Sequence, residues 1–290
     1  MPLSAKTQLL GILGWPVRHS FSPAMHNAAA AALALDLAYV PLPVAPAHLE
    51  DALRGLVALN FLGANVTVPH KQAVLPFLQT VEPAAQAIGA VNTIKITSPH
   101  SLSGSNTDWS GFLAALRQHD IPTAGRDCLV LGAGGSARAV VYALARSGGR
   151  HCGRITVFAR RPAQARQLVT DLQPHLGAAE LRAAAWDQLP QAQARHAPLI
   201  VNTTPVGMHP NEEHSPWPDK LPFPEDSHVV DLIYNPIETQ LLQQARAAGC
   251  RVANGLSMLL YQGAHAFELW TGIAPPLEVM AEALRREGIG

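Results

Sequence analysis

The sequence predicts an α/β protein with mainly parallel sheets, and two observations carry that prediction. Apolar runs bounded by turn residues alternate with helical patterns almost throughout the 290 residues, the signature of strand–helix–strand units. Near the middle, an apolar run passes through a glycine-rich turn into a long amphipathic stretch, as a strand feeding a helix does. The length suits two ordinary domains, each with its own buried core.

Taken in order, strands are expected at residues 9–13, 37–42, 62–68 and 90–96. Between them, SPAMHNAAAAALAL from Ser22 reads as a helix, with Ser22 and Pro23 as cap and first turn. After SNTDWSGFLAALRQHD the character shifts. GRDCLVLGAGGSARAVVYALARSGGR opens a new unit, with a strand at 128–131 and a helix ending at Gly148 and Gly149. ITVFAR, APLIVNTT, HVVDLIY and CRVAN follow as strands, and residues 209–226, rich in proline, as a long loop. SMLLYQGAHAFELWTG and PLEVMAEALRREG have apolar residues at helical spacing and read as two closing helices. Met258 and Tyr261 on the first of these, and Trp15 and Trp109, are expected to pack in the core, with Met258 also a candidate for contact with a cofactor.

Lys plus Arg and Asp plus Glu both number 21, so no net charge draws the chain to nucleic acid or to an anionic membrane. Small-molecule partners are expected. Cys128, Cys152 and Cys250 form neither a CxxC pair nor a zinc-type spacing, which fits a reducing cytoplasm. The N-terminal apolar run is too short for a signal peptide, and residues 28–35 fall far short of a membrane span. His19, His26 and His70 lack a ligand pattern with carboxylate or thiolate, so no metal site is expected.

The glycine turn has a chemistry of its own. Gly132, Ala133, Gly134, Gly135, Ser136 and Ala137 form a GxGxxA sequence between an apolar strand and a helix. Such glycines let a pyrophosphate approach backbone N–H groups at a helix N-terminus, where the dipole favours negative charge. A tight strand–helix turn would be the plainer explanation, but strand and helix flank the glycines as a Rossmann-type dinucleotide site demands. At the end of the next strand, an NAD site carries an acid for the ribose 2′-hydroxyl, whereas this chain has Arg160 and Arg161. Guanidinium groups suit a 2′-phosphate, so NADP(H) is the expected cofactor.

In the first part of the chain, NVTVPHK places Asn65, Thr67 and Lys71 where a strand meets Pro69. By itself this could be a polar strand-to-helix loop, with Pro69 in the first turn of a helix and Lys71 pointing out of it. Other small polar clusters stand at strand ends and helix starts, where open α/β sheets build their binding crevice. HSFSPAMHN, NVTVPHK, GAVNT, NTDWSGF, GAGGSARA, NTTPVGM, DLIYNP and NGLSMLLYQG occur in that order between residues 14 and 263. Together they closely resemble the shikimate dehydrogenase family.

That resemblance implies reversible reduction of 3-dehydroshikimate to shikimate with NADPH, on the path to chorismate and the aromatic amino acids. It implies a substrate-binding catalytic domain over residues 1–108, completed by helices in 256–290, and a Rossmann-type NADP-binding domain over 109–255. By motif, Ser20 and Ser22, which alone would read as helix-cap groups, would bind the substrate carboxylate, with Tyr234 nearby. Asn65, Thr67, Asn92 and Gln262 would hold ring hydroxyls, and Lys71 and Asp108 would form the catalytic pair. The glycine loop, Arg160, Thr203 and Gly255 would bind cofactor, and Met258 could touch its nicotinamide. Where the family usually has Asn-Arg-Thr after the second Rossmann strand, this chain has Ala159-Arg160-Arg161. Two rivals share the scaffold: a quinate/shikimate dehydrogenase with relaxed NAD and NADP use, and a non-catalytic dinucleotide-dependent sensor. A monomer and a homodimer are both compatible with the sequence.

The chemistry also follows from the side chains. Hydride arriving at a ketone carbon leaves negative charge on oxygen, which a proton or a preorganised donor must meet. The ammonium of Lys71 supplies both, and a carboxylate beside it favours the charged form. Asn65 and Thr67 suit a polyol, whose donors and acceptors an apolar strand end would leave unpaired.

Overall fold

The computed structural model describes residues 3–98, 101–147, 152–177, 179–192 and 198–287. The chain divides into two compact units, one running to Gly111 and resuming at Leu259, the other spanning Phe112–Met258.

In the first unit the strands are β1 (Gln8–Gly14), β2 (Leu37–Pro43), β3 (Gly63–Val66), β4 (Thr80–Val81), β5 (Thr93–Ser98) and β6 (Ser101–Ser105). Among them lie α1 (Ser22–Ala32), α2 (Leu49–Ala58), α3 (Pro83–Ile88) and the start of α4 (Asp108–Gln118). The sheet order is β2-β1-β3-β5-β6-β4. β1 runs parallel to both β2 and β3, because α1 and α2 carry the chain back between them. β5 is antiparallel to β3 and to β6.

Alternation along β1 sends its side chains to two cores. Leu9 and Leu13 join a cluster with Leu49, Leu53 and Leu56, which recur at helical spacing on α2. Leu10 and Ile12 face the other way, toward Tyr39, Ala266 and Trp270. The last two belong to a C-terminal helix, so the final segment of the chain closes the first unit's core.

The second unit contains β7 (Cys128–Leu131), α5 (Gly135–Ala145), β8 (Arg154–Ala159), α6 (Pro162–Leu172), β9 (Glu180–Ala185), α7 (Leu189–Ala192), β10 (Leu199–Asn202), β11 (His228–Asp231), α8 (Gln240–Ala247) and β12 (Arg251–Ala253). Its six strands are all parallel, in the order β12-β11-β10-β7-β8-β9. That is the doubly wound order, reversing between β7 and β10, where such sheets bind ligands at their carboxyl ends. Covered on both faces, β7, β10 and β11 are buried along their whole length and read as near-continuous apolar runs. Helices α9 (Leu256–Thr271) and α10 (Leu277–Arg286) end the chain.

Several local expectations give way. Pro69 starts no helix: Lys71 lies in a turn, its carbonyl taken at 2.7 Å by the N–H of Val91 rather than by a helical ladder. The cap of α1 is Phe21, not Ser22, and the hydroxyl of Ser20 accepts from the N–H of Ser22 at 3.3 Å. Trp15 is 51% exposed instead of buried, since it follows the last residue of β1, and Trp109 is half-buried. Strands β4, β6 and β9 carried no apolar run to announce them; pairing with a neighbour already in place defines them. Residues 209–226 do form a loop, yet Trp217 within it is buried and stacks on Phe223 with ring centroids 4.7 Å apart. The expected helix end at Gly148 and Gly149 lies outside the described residues.

Candidate active site

In the first unit a chain of polar side chains begins at Lys71. Its Nζ lies 2.6 Å from Oδ2 of Asp108, and the side chains are 14% and 6% exposed. A pair so nearly withdrawn from water must be held by further bonds, because an uncompensated buried charge is costly. Asp108 is the first residue of α4, where its charge meets the positive end of the helix. Its backbone N–H donates to Oδ1 of Asn106 at 3.0 Å.

Asn92 is the hub. Its Nδ2 donates to Oδ1 of Asp108 at 2.8 Å and to Oγ1 of Thr107 at 2.9 Å, and stands 3.4 Å from Oε1 of Gln262. Its Oδ1 accepts from the backbone N–H of Thr107 at 2.7 Å. Because Val91 N–H holds the Lys71 carbonyl, the turn carrying the cation is tied to the residue beside that hub. Gln262 reaches it from α9, where Gly111 of α4 packs against the Gln262 backbone so closely that any Cβ would collide.

Asn65 lies one layer deeper. Its Oδ1 accepts from the Tyr39 hydroxyl at 2.7 Å, and its Nδ2 donates to the Asn92 carbonyl at 3.1 Å and to Thr93 Oγ1 at 3.2 Å. Thr67 follows β3, its N–H bonded to Leu13 O and its methyl against Gly14. Ser20 and Ser22 follow β1. These strands are neighbours in register, Leu13 opposite Val66, so both segments emerge from the carboxyl edge of one sheet. The structure therefore joins Lys71, Asp108, Asn92, Gln262 and Asn65 in one network, with Thr67, Ser20 and Ser22 on that edge. Tyr234 follows β11 in the second unit, where burial raises its hydroxyl pKa.

In the second unit Gly132 follows β7 at φ +113°, a conformation that favours glycine, and a Cβ there would stand 2.5 Å from Thr203 Oγ1. Thr203 itself donates to the Leu131 carbonyl at 2.7 Å. Ala133 lies in the turn, Gly134 caps α5 without any side-chain cap, and Gly135, Ser136 and Ala137 form the first turn. A Cβ on Gly134 would meet nothing within 4 Å. That open space at the N-terminus of α5 fits a pyrophosphate. At the end of β8, paired with β7, Arg160 and Arg161 are exposed, which fits a further phosphate. Gly255 packs against the Leu232 backbone, closer than any Cβ allows. Met258 is 8% exposed and lines a small apolar void with Phe112, Ala115, Leu116 and Val230.

Comparison with known proteins gives this arrangement a relationship. Residues 12–94 match the shikimate dehydrogenase substrate binding domain, and residues 255–285 the shikimate 5′-dehydrogenase C-terminal domain. A shikimate dehydrogenase (NADP(+)) of Moorella thermoacetica is 48% identical over 287 residues, covering 98% of this chain and 94% of the relative. The chain belongs to the shikimate dehydrogenase family. Among solved structures of that family, shikimate 5-dehydrogenase from Thermus thermophilus, in complex with NADP(H) and shikimate, superposes with a TM-score of 0.83. It is 41% identical, over 96% of this chain and 99% of that one. Quinate dehydrogenase from Corynebacterium glutamicum in complex with NAD gives a TM-score of 0.86 at 32% identity, over 97% and 99% of the two chains.

Sequence reasoning missed the supports of both sites. Thr107, Asn106 and Thr93, which lie in NTDWSGF and GAVNT but were given no role, and Tyr39, outside those motifs, bind the residues singled out above. In the second unit it missed Asp231 and Asn202, both 0% exposed. Burial pushes the Asp231 carboxyl up to about 6, against hydrogen bonds from Thr239, Ile233 and Asn202 that lower it. A signal was present: each is a polar residue closing an apolar strand, LIVN and HVVD, and a buried polar group needs partners. Among the described residues no group of three or more His, Cys, Asp or Glu could hold a metal, and no helix is long and apolar enough to cross a membrane.

Proposed function

We propose that this chain catalyses the reversible, NADPH-dependent reduction of 3-dehydroshikimate to shikimate, a step toward chorismate and the aromatic amino acids. The observation that carries the reading is the Lys71–Asp108 pair at 2.6 Å, bonded through Asn92 to other groups on the carboxyl edge of the sheet in a member of this family. Residues 1–108 with 256–290 serve the substrate, and 109–255 serve the dinucleotide.

Lys71 does the proton chemistry. Its ammonium stands at the carbonyl oxygen and gives up a proton as negative charge develops there, taking one back in the oxidative direction. Asp108 keeps Lys71 in place through their ion pair. It also accepts a substrate hydroxyl, so that one carboxylate orients both the acid and the ring. Thr67, Asn92 and Gln262 meet ring hydroxyls with side chains that both donate and accept. Asn65, whose Oδ1 accepts from Tyr39, offers the ring the second lone pair of that oxygen. Ser20 and Ser22 take the carboxylate.

NADPH, when bound, supplies the hydride. The Gly132–Ala137 turn and the α5 N-terminus hold its pyrophosphate, Arg160 and Arg161 its 2′-phosphate, and Thr203, Gly255 and Met258 line the rest of its site. A reducing cytoplasm agrees with three free cysteines, and the working form is a monomer or a homodimer.

The test is absorbance at the nicotinamide band with shikimate and quinate, each offered with NADP and NAD. Shikimate with NADP should turn over fastest. Faster turnover of quinate with NAD would replace this reading with the quinate one, and tight binding of both ligands without turnover would replace it with the sensor.

A further inference from the structure

We infer that Asp231 is a positioning residue for cofactor binding, whose buried carboxylate holds the loop after β10 in the shape that braces the glycine turn. The inference rests on the reading that the second unit binds NADPH. Asp231 ends β11 and is wholly buried. Its Oδ1 accepts from Asn202 Nδ2 at 2.9 Å and from the Ile233 N–H at 3.1 Å, and its Oδ2 accepts from the Thr239 hydroxyl at 2.7 Å.

From there two routes lead to the cofactor elements. Asn202, oriented by Asp231, accepts through Oδ1 from the N–H of Thr204 at 2.9 Å and from its hydroxyl at 2.7 Å. Thr203, held between these two, donates to Leu131 O and fills the space beside Gly132. On the other side, the Ile233 carbonyl accepts from the Gly255 N–H at 2.9 Å, while Gly255 lies against Leu232. One carboxylate thus sets Thr203, the glycine turn and Gly255 together. An apolar residue would pack at least as well beside Val229 and Val230, but it could not gather three donors; all three of the carboxylate's bonds go to strand ends and loops on the carboxyl edge. An amide at this position keeps one acceptor oxygen and turns an NH2 toward donors.

The test is NADPH fluorescence titration of Asp231→Asn, with circular dichroism, the KM for shikimate and hydrogen exchange at the Thr203 and Thr204 amides measured on the same protein. Losing hydrogen bonds to a charged acceptor should weaken NADPH binding about tenfold or more, speed exchange at both amides and leave the KM for shikimate nearly unchanged. A folded variant with wild-type NADPH affinity overturns the inference. Should Asp231→Asn fail to fold, Thr204→Val cuts only the far end of the network and should still weaken NADPH binding about threefold; unchanged affinity there overturns it equally. A wild-type protein that binds no NADPH defeats the cofactor reading itself, and that failure shows before any variant is made.

Discussion

Lys71 Nζ and Asp108 Oδ2 lie 2.6 Å apart, although the two residues stand 37 positions apart in the chain and neither lies on the other's element. The turn after β3 carries the cation and the first residue of α4 carries the anion. Their meeting is fixed by Asn92, which bonds the carboxylate directly and sits next to the residue that grips the Lys71 carbonyl.

Replacing Lys71 by Ala removes the proton donor and leaves the hydroxyl-binding groups in place. The rate constant for turnover should fall by about 10²–10⁴, while shikimate binding measured by calorimetry persists. Retained turnover in Lys71→Ala would assign the proton to another group.

A second expectation concerns Arg160 and Arg161. Hydrogen bonds to charged groups contribute about 1.5–3 kcal/mol each, so replacing both by Ala should raise the KM for NADPH at least about tenfold while altering that for NADH little. Equal losses for the two cofactors would count against a 2′-phosphate clamp.

The Tyr39 hydroxyl, 2.7 Å from Asn65 Oδ1, supports the deepest part of the substrate-side network. Tyr39→Phe leaves that buried amide short of a donor at a cost of about 1–3 kcal/mol. Thermal unfolding should show a lower midpoint, with a smaller effect on turnover than Lys71→Ala.

Stability against pH should carry two opposing slopes. His26 is fully buried, with neither ring nitrogen hydrogen-bonded among the described residues, and burial lowers its pKa from 6.5 to about 3. The unfolded chain therefore binds the extra proton between those values, and stability falls as pH drops through that window. Asp231 is raised from 3.8 to about 6, so the folded chain binds the extra proton and stability falls as pH rises between those values. Each slope is at most about 1.4 kcal/mol per pH unit. Denaturant midpoints from about pH 4 to 6 should rise with pH in Asp231→Asn and decline in His26→Phe; identical profiles in both variants would refute the assignment.

What could be read from the chain follows from the range of the interactions involved. The strand–helix alternation, the glycine turn of 132–137 and the strands at 128–131, 199–202 and 228–231 depend on near neighbours in sequence, so their patterns are written locally. The pairing of Lys71 with Asp108 was legible through their motifs. Strands β4, β6 and β9 were not, because a partner strand distant in sequence decides whether such weak segments pair. Nor could the sequence place Lys71 in a turn, bring Gln262 within 3.4 Å of Asn92 across 170 residues, or gather donors from Asn202, Ile233 and Thr239 on the Asp231 carboxylate. By itself the sequence determined the class of fold, the family and the kinds of chemistry present. Only tertiary structure decided which polar groups share a hydrogen bond, since that depends on distances in space that burial and sheet register impose.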